Sequence, residues 1–191
     1  ETIKDSIHRI NLEKLPFPFN TGFQKQNALT AFCTIQKLMD VSEHTFFSAI
    51  HNLNKNTGYQ KRIEQVSENP RIILDVSHNL EGIKATLNLI ENSVKGKLYI
   101  VYGSSSDKDY RSILDIFPHS AKICLTPFQS ERSWKEPEME KIIKERPHLS
   151  IQIFSTVDEA ISNCREQASE YDTILVFGSF FLIQDISISF T

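Results

Sequence analysis

The fold is decided by one stretch of the sequence, Arg71-Ile-Ile-Leu-Asp75-Val-Ser-His78-Asn79-Leu-Glu-Gly82. A short apolar run ends at an acidic residue, and a helical pattern begins after a polar turn, which is typical of a buried strand that leads into a helix. In open α/β sheets, ligands bind beyond the carboxyl ends of such strands. Asp75 could there accept hydrogen bonds from two ribose hydroxyls, while free amides of the helix face an anion. Alternatively, Asp75 or Asn79 only caps the helix.

The chain after residue 57 alternates between predicted strands and predicted helices. Further strands are predicted at 98–102, 122–125, 151–154 and 173–177, with helical patterns between them. A half-buried strand at 62–66 could pair with the stretch at Arg71 as a small hairpin. Alternating strands and helices favour right-handed β-α-β units. The sequence therefore predicts an α/β fold, a Rossmann-like, mainly parallel sheet that is flanked by helices.

The first part of the chain has a different pattern, which is helical. Apolar residues recur at three- and four-residue spacing and predict helices at about 24–39 and 42–53. The polar run at 54–58 is predicted to be a turn and a domain boundary or hinge. We therefore assign residues 1–56 to the end of an N-terminal domain and its linker, and residues 57–191 to a C-terminal α/β domain. The opening residues resemble mid-protein sequence, so we expect the chain to be part of a longer protein.

The bulk composition argues against several classes of function. The 191 residues are 40% hydrophobic and 24% charged, which suits a packed core. The net charge is −3 without a basic stripe, and no apolar run approaches the roughly 20 residues of a membrane span. We therefore expect a cytoplasmic monomer without nucleic-acid or membrane partners. The three cysteines, Cys33, Cys124 and Cys164, are predicted to be reduced core residues, and the histidines lack metal-binding spacing, so no metal site is predicted.

Polar residues follow several of the predicted strands, at 75–79, 103–109, 126–127 and 178–179. Because the carboxyl ends of parallel strands open on one edge of a sheet, these residues favour a nucleotide or phosphorylated ligand there. Neither GxGxxG nor GxxxxGKS or GxxxxGKT occurs, so the chain is predicted to supply only part of a nucleotide site. Alternatively, the segments at 103–109 and 178–179 are ordinary loops, and His78 is a satisfied turn histidine.

Five short elements occur in order along the chain. Asp75-Val-Ser-His78-Asn79 is similar to the signature D-G-A-H-N-P, and residues 24–28, Gln-Lys-Gln-Asn-Ala, are similar to Q-x-x-N-A. Arg62 lies thirteen residues before Asp75, as the arginine of W-x-G-R-x-E does before the signature. Residues 103–109 resemble G-x-x-x-D-K-D, and residues 176–182 resemble a closing T-G-S-L-Y-L. Together the elements resemble folylpolyglutamate synthases and dihydrofolate synthases, within the Mur ligase superfamily.

The resemblance implies an ATP-dependent amide ligase whose ATP lies between two domains. ATP phosphorylates the terminal carboxylate of a folate or dihydropteroate, and the amine of L-glutamate then attacks the acyl phosphate. The family's ATP-binding glycine loop and its Mg²⁺ ligands belong to the N-terminal domain, so we expect Mg²⁺ to be held there. The 191-residue chain by itself is therefore expected to be inactive.

The resemblance also implies roles for individual residues. The implied ATP contacts are Asn27, Arg62 and Asp75, whose amide, guanidinium and carboxylate suit a base or phosphate, phosphates and ribose, respectively. His78 is the predicted catalytic residue and would orient the nucleotide or help domain closure. The residues implied to hold the incoming glutamate are Ser104, Ser105 and Asp107.

Two other functions are compatible with the same residues. The first is the C-terminal domain of a peptidoglycan Mur ligase, although the D-K-D loop and the G-S-F-F-L ending favour the folate branch. The second is a non-catalytic α/β binding module whose polar sheet edge is incidental. The sequence leaves open whether a ligase of the folate branch makes dihydrofolate, polyglutamates or both.

Overall fold

A computed structural model describes residues 10–16, 22–58 and 61–190. The chain divides into two compact units, Glu1–Gln60 and Lys61–Thr191, which we call the helical unit and the α/β unit. No helix among the described residues combines the length and the apolar character that a membrane span requires.

The helical unit contains a 3-10 helix at Leu12–Lys14 and the helices α1 (Gly22–Leu38), α2 (Glu43–His51) and α3 (Leu53–Thr57). Its core includes Ile10, Leu15, Ala28, Phe32 and Phe46, and the last two rings lie 5.0 Å apart. Ser42 caps α2, since its hydroxyl accepts a hydrogen bond from the Thr45 N–H at 3.1 Å. The prediction of a turn at 54–58 is wrong, because residues 54–57 belong to α3, and Gly58 caps that helix in the left-handed conformation.

The α/β unit is built around one six-stranded sheet. The strands are β1 (Glu64–Glu68), β2 (Arg71–Asp75), β3 (Leu98–Tyr102), β4 (Lys122–Leu125), β5 (Ser150–Ile153) and β6 (Thr173–Phe177). The helices are α4 (Leu80–Glu91), α5 (Tyr110–Leu114), α6 (Glu136–Glu145), α7 (Val157–Gln167) and α8 (Phe180–Gln184). The spatial order of the strands is β1-β2-β6-β3-β4-β5.

Five of the six strands are parallel, and only β1 runs antiparallel to its neighbour β2. Every residue of β3 and β6 is buried, as expected for central parallel strands that are covered by helices on both faces. Two apolar cores, one on each face of the sheet, fill the space beneath the helices. The prediction of a mainly parallel α/β sheet with an antiparallel hairpin strand is thus confirmed.

The strand order decides which loops meet. β2, β6, β3 and β4 are consecutive in the sheet and point in the same direction. The segments that follow these strands therefore lie side by side at one edge of the sheet, where ligands of open α/β sheets bind.

Candidate active site

A cleft of about 190 Å³ opens at the carboxyl ends of the strands, and we call it the rim cleft. Its walls come from the segments that follow β2, β3, β4 and β6. The lining residues are His78, Ser105, Lys108, Arg132, Gly178, Ser179, Phe180 and Phe181. Two of these side chains are cationic and none is acidic, although the neighbouring Asp107 pairs with one of the cations. The chemistry of the cleft therefore favours an anionic ligand.

Two glycines allow the strand ends to approach closely at this cleft. Gly178 follows β6 and has a φ of +124°, which side-chain-bearing residues rarely adopt. A Cβ atom at Gly178 would lie 2.3 Å from the carbonyl oxygen of Gly103, and one at Gly103 would lie 2.6 Å from the carbonyl oxygen of Thr126. The backbone after β6, β3 and β4 is thus packed tightly enough to form the floor of a small site.

Asp75 ends β2 with its carboxylate almost completely buried, at 1% exposure. The carboxylate accepts hydrogen bonds from the Ser77 N–H at 3.0 Å, from the Ser77 hydroxyl, and from the Thr86 hydroxyl at 2.5 Å. Burial raises the pKa of Asp75, while the bond from Thr86, the bond from Ser77 and the charge of Arg62 oppose the rise. Asp75 therefore holds the turn after β2 in place. Its predicted contact with ribose would require one of these partners to be exchanged for a ligand hydroxyl.

The raised pKa of Asp75 predicts how the stability of the α/β unit changes with pH. Because the folded state binds the Asp75 proton more tightly than the unfolded chain, the contribution of this group is present at low pH and is lost as the pH rises through the raised pKa. The free energy of unfolding should be higher for the wild type than for Asp75→Asn, and this difference should decrease between about pH 4 and about pH 7. Urea denaturation followed through the fluorescence of Trp134, the single tryptophan, measures it.

Asp172 offers a matched control for this experiment, because the pKa of its carboxyl is shifted the other way. Burial alone would raise that pKa, but hydrogen bonds from the Lys97 and Ser169 N–H groups lower it below the usual value. The advantage of the wild type over Asp172→Asn should therefore grow as the pH rises to about 4, and it should stay nearly constant from there to about pH 7. An advantage of the wild type over Asp75→Asn that stays constant or grows between about pH 4 and about pH 7 would contradict the raised pKa of Asp75.

Arg62 lies at the same edge of the sheet as Asp75. Its guanidinium carbon is 5.5 Å from the centre of the Phe180 ring, which lines the rim cleft. Both of its neighbours, Lys61 and Ile63, have positive φ angles of 63° and 52°. A β-branched residue with a positive φ is a true backbone outlier, and such strain is concentrated at functional sites. The geometry is thus consistent with a functional arginine.

His78 is half-buried and forms part of the cleft wall. Its Nδ1 lies 3.1 Å from the carbonyl oxygen of Val76, which fixes the orientation of the ring. If Nδ1 carries the proton and donates to this carbonyl, Nε2 is left as a hydrogen-bond acceptor. The centre of the ring is 6.1 Å from that of Phe180. Phe180 thus contacts both His78, which lines the cleft, and Arg62, which is not among the lining residues.

The loop after β3 contributes its predicted residues unequally. Ser105 lines the cleft, whereas the side chain of Ser104 is fully buried and its carbonyl oxygen accepts a hydrogen bond from the Trp134 N–H at 3.2 Å. Asp107 is exposed, and its carboxylate accepts a hydrogen bond from the Arg132 guanidinium at 2.7 Å. This bond is the first cause of the lowered pKa of Asp107. Of the three residues, only Ser105 faces the cleft directly.

Arg132 is a cleft residue that sequence reasoning missed. It lies in the irregular segment after β4, and its carbonyl oxygen accepts a hydrogen bond from the Ser106 N–H at 2.8 Å. A β-bridge between Ser105 and Ser133 joins the same two loops. The available signal was a basic residue in a loop that follows a parallel strand, since all such loops open on one edge.

Asn27 belongs to the helical unit, where it is exposed on α1. Its contact with ATP stays a prediction, as do the roles of Arg62, Asp75 and His78. Among the described residues, no three His, Cys, Asp or Glu side chains come together as a group that could hold a metal ion.

An open parallel sheet with a cationic cleft at its carboxyl edge defines an α/β domain of the kind that binds anionic substrates. Residues 61–180 match the family model described as "Mur ligase, glutamate ligase domain". The chain belongs to this family, and the prediction of a Mur-ligase-type C-terminal domain is confirmed.

The similar proteins are enzymes of the folate branch. The dihydrofolate synthase/folylpolyglutamate synthase of Haemophilus influenzae is 26% identical over 198 residues, which cover 93% of this chain and 44% of that protein. The structure of Escherichia coli FolC in complex with DHPP and ADP is 26% identical, with a TM-score of 0.67 over 88% of this chain and 39% of that one.

The fold also matches a crystal structure of the bifunctional folylpolyglutamate synthase/dihydrofolate synthase of Yersinia pestis, complexed with AMPPNP and a Mn ion. That match has a TM-score of 0.67 and 24% identity, and it covers 88% of this chain and 39% of the other. The chain thus spans less than half the length of the proteins that it resembles.

Proposed function

We propose that the chain is the C-terminal part of an ATP-dependent ligase that adds L-glutamate to a folate or dihydropteroate. In this reaction the γ-phosphoryl group of ATP passes to a substrate carboxylate and releases ADP. The glutamate amine then attacks the acyl carbon, inorganic phosphate leaves, and an amide bond is formed. Membership of the glutamate ligase family and the nucleotide- and DHPP-bound structures of similar enzymes support the proposal.

The observation that carries the proposal is the charge of the rim cleft. Lys108 and Arg132 line it together with the Ser105 and Ser179 hydroxyls, a set of groups that suits the two carboxylates of glutamate. Arg62 lies beside Phe180, which lines the cleft, and its fixed charge suits the phosphates of ATP. The cleft therefore offers neighbouring places for the amino acid and for the phosphorylated end of the nucleotide.

The remaining roles follow from the positions already described. His78 is proposed to orient the nucleotide or the incoming amine, and Asp75 to hold the turn that presents it. Asn27 is proposed to contact ATP from the helical unit. Mg²⁺ would neutralise phosphate charge during phosphoryl transfer. Among the described residues no three His, Cys, Asp or Glu side chains come together as a metal group, and we propose that the Mg²⁺ ligands lie in the N-terminal domain of the complete protein. A cytoplasmic monomer stays our prediction for the whole protein.

The direct test is a ligase assay on the 191-residue chain and on a complete protein that contains it. With ATP, Mg²⁺ and L-glutamate, the complete protein should release ADP and phosphate only when dihydropteroate or a reduced folate is added. The chain by itself should show no turnover and only weak ATP binding, because phosphoryl transfer depends on positioned cations and metal. Turnover with a muramyl-peptide acceptor would instead assign the protein to the peptidoglycan branch. Turnover by the isolated chain would contradict the proposal that ligase activity requires the rest of the complete protein.

A further inference from the structure

Two of the three cysteines lie in contact within the core of the α/β unit. Cys124 is on β4 and Cys164 is on α7, and their Sγ atoms are 3.5 Å apart. Both thiols are free, with exposures of 3% and 0%. The third cysteine, Cys33, lies on α1 in the helical unit. We propose that Cys124 and Cys164 form a modification site, which hydroperoxides convert to an intramolecular disulfide.

The elements that carry the two thiols are held together near the pair. The Tyr99 hydroxyl, on the strand next to β4, donates to the Gln167 carbonyl at 3.1 Å, and Lys122 Nζ donates to the Gln167 side chain at 3.2 Å. These bonds hold the last turn of α7 over the sheet. Since a disulfide bond is about 2.05 Å long, the sulfurs need to approach by only about 1.5 Å. Rotation of the two side chains, without a change of fold, can supply that movement.

The contact also determines which sulfur reacts first. The hydrogen bond from Cys164 lowers the pKa of the Cys124 thiol, and the positive charge of Lys122 lowers it further, although burial opposes both. The pKa of Cys164 is raised by the same contact and by burial. Because the thiolate is the nucleophile, Cys124 is the attacking group and Cys164 the resolving one.

The reaction balances with one hydroperoxide per pair. The Cys124 thiolate attacks a peroxide oxygen, the O–O bond breaks, and Cys124 becomes a sulfenic acid as the leaving oxygen departs, protonated, as water. The Cys164 sulfur then attacks the Cys124 sulfur, the S–O bond breaks, and the hydroxide leaves as water with the Cys164 proton. Two thiols thus lose two protons and two electrons, and hydrogen peroxide takes them up to become two molecules of water.

Burial of the two thiols makes the reaction slow, and the disulfide that it forms changes the stability of the α/β unit. An oxidant reaches the pair only when α7 opens locally, so the rate should lie well below that of an exposed thiol. Once formed, the bond would link residues 40 positions apart and constrain the unfolded chain. We expect the oxidised α/β unit to unfold at a temperature higher by roughly 5 °C or more.

The test is to treat the chain with hydrogen peroxide, block the remaining thiols under denaturing conditions, and digest it with trypsin without reduction. The expected product is a linked pair of peptides, 123–132 and 145–165, with two of three thiols lost. The linked pair, which contains no methionine, should weigh about 2 Da less than the two reduced peptides together, and dithiothreitol should separate them. Because this measurement uses the wild type, its outcome does not depend on whether a variant folds.

The cysteines also provide matched controls. Cys33→Ser should form the same linked peptides, whereas Cys124→Ala and Cys164→Ala should not form an intramolecular bond. Three intact thiols after prolonged exposure, oxygen atoms added to single cysteines, or a bond to Cys33 would each overturn the proposal.

Discussion

Replacing Gly178 by alanine is expected to lower the free energy of unfolding of the α/β unit by about 3 to 5 kcal/mol. Part of the loss is backbone strain, because the φ of +124° is unsuited to a side chain. The larger part is steric, since the added Cβ would lie 2.3 Å from the Gly103 carbonyl oxygen and 2.7 Å from the Tyr102 ring. Gly103 and Tyr102 are buried at the end of the neighbouring strand, so neither can move without disturbing the sheet.

Urea denaturation followed through Trp134 measures this effect, because that side chain is buried within the α/β unit. Gly58→Ala is the control for strain alone. Gly58 also has a positive φ, of 68°, but apart from its chain neighbours no atom of the described residues lies within 4 Å of an added Cβ. In Gly58→Ala, the free energy of unfolding of the helical unit should fall by only about 1 kcal/mol, as measured by far-ultraviolet circular dichroism. If Gly178→Ala costs no more than Gly58→Ala, the close approach of β6 and β3 is contradicted.

The strands and their order of appearance could be predicted because each has a local signal. An apolar run that stops at a polar residue marks a buried strand and its carboxyl end, and the observed strands start and finish within two residues of the predicted positions. Once the strands are parallel, their carboxyl ends must share an edge. This is why the sequence alone predicts that Asp75, Ser105 and Gly178 lie at one edge of the sheet.

Features that depend on contacts between distant segments could not be predicted in this way. Arg132 lies in a loop without periodicity, and pairing with the loop after β3 brings it to the cleft. Likewise, the sequence shows an acid at the end of β2 but not that Thr86, eleven residues later on α4, binds it. Such partners are decided by the angle at which a helix packs on the sheet.

The turn predicted at 54–58 failed for a related reason. α3 is only five residues long, too short to show an apolar period, and its polar composition resembles a loop. The informative residue was Gly58, whose left-handed conformation ends the helix. A glycine after a polar run therefore indicates a helix end as well as a turn.

Replacing Arg132 by glutamine in a complete, active protein is expected to raise the KM for L-glutamate roughly 10- to 100-fold, with little change in the KM for ATP. The reason is that Arg132 supplies a charge-assisted donor in the rim cleft, where the proposed function places a glutamate carboxylate. The fold should be nearly unaffected, because the lost ion pair with Asp107 is exposed and screened by solvent, so that it contributes little to stability. Steady-state kinetics with each substrate varied in turn would separate the two KM values.

Arg111→Gln is the matched control, because Arg111 also pairs with a carboxylate, that of Glu145 at 3.1 Å. The two arginine side chains are similarly exposed, at 55% for Arg111 and 61% for Arg132, but Arg111 is not among the residues that line the cleft. Its loss should leave both KM values unchanged. Arg132→Lys should lie between the wild type and the glutamine variant, since lysine keeps the charge but not the forked donor. A rise in the KM for ATP alone would instead indicate that the cationic cleft binds the nucleotide. Unchanged kinetics in Arg132→Gln would show that Arg132 has no role in the reaction.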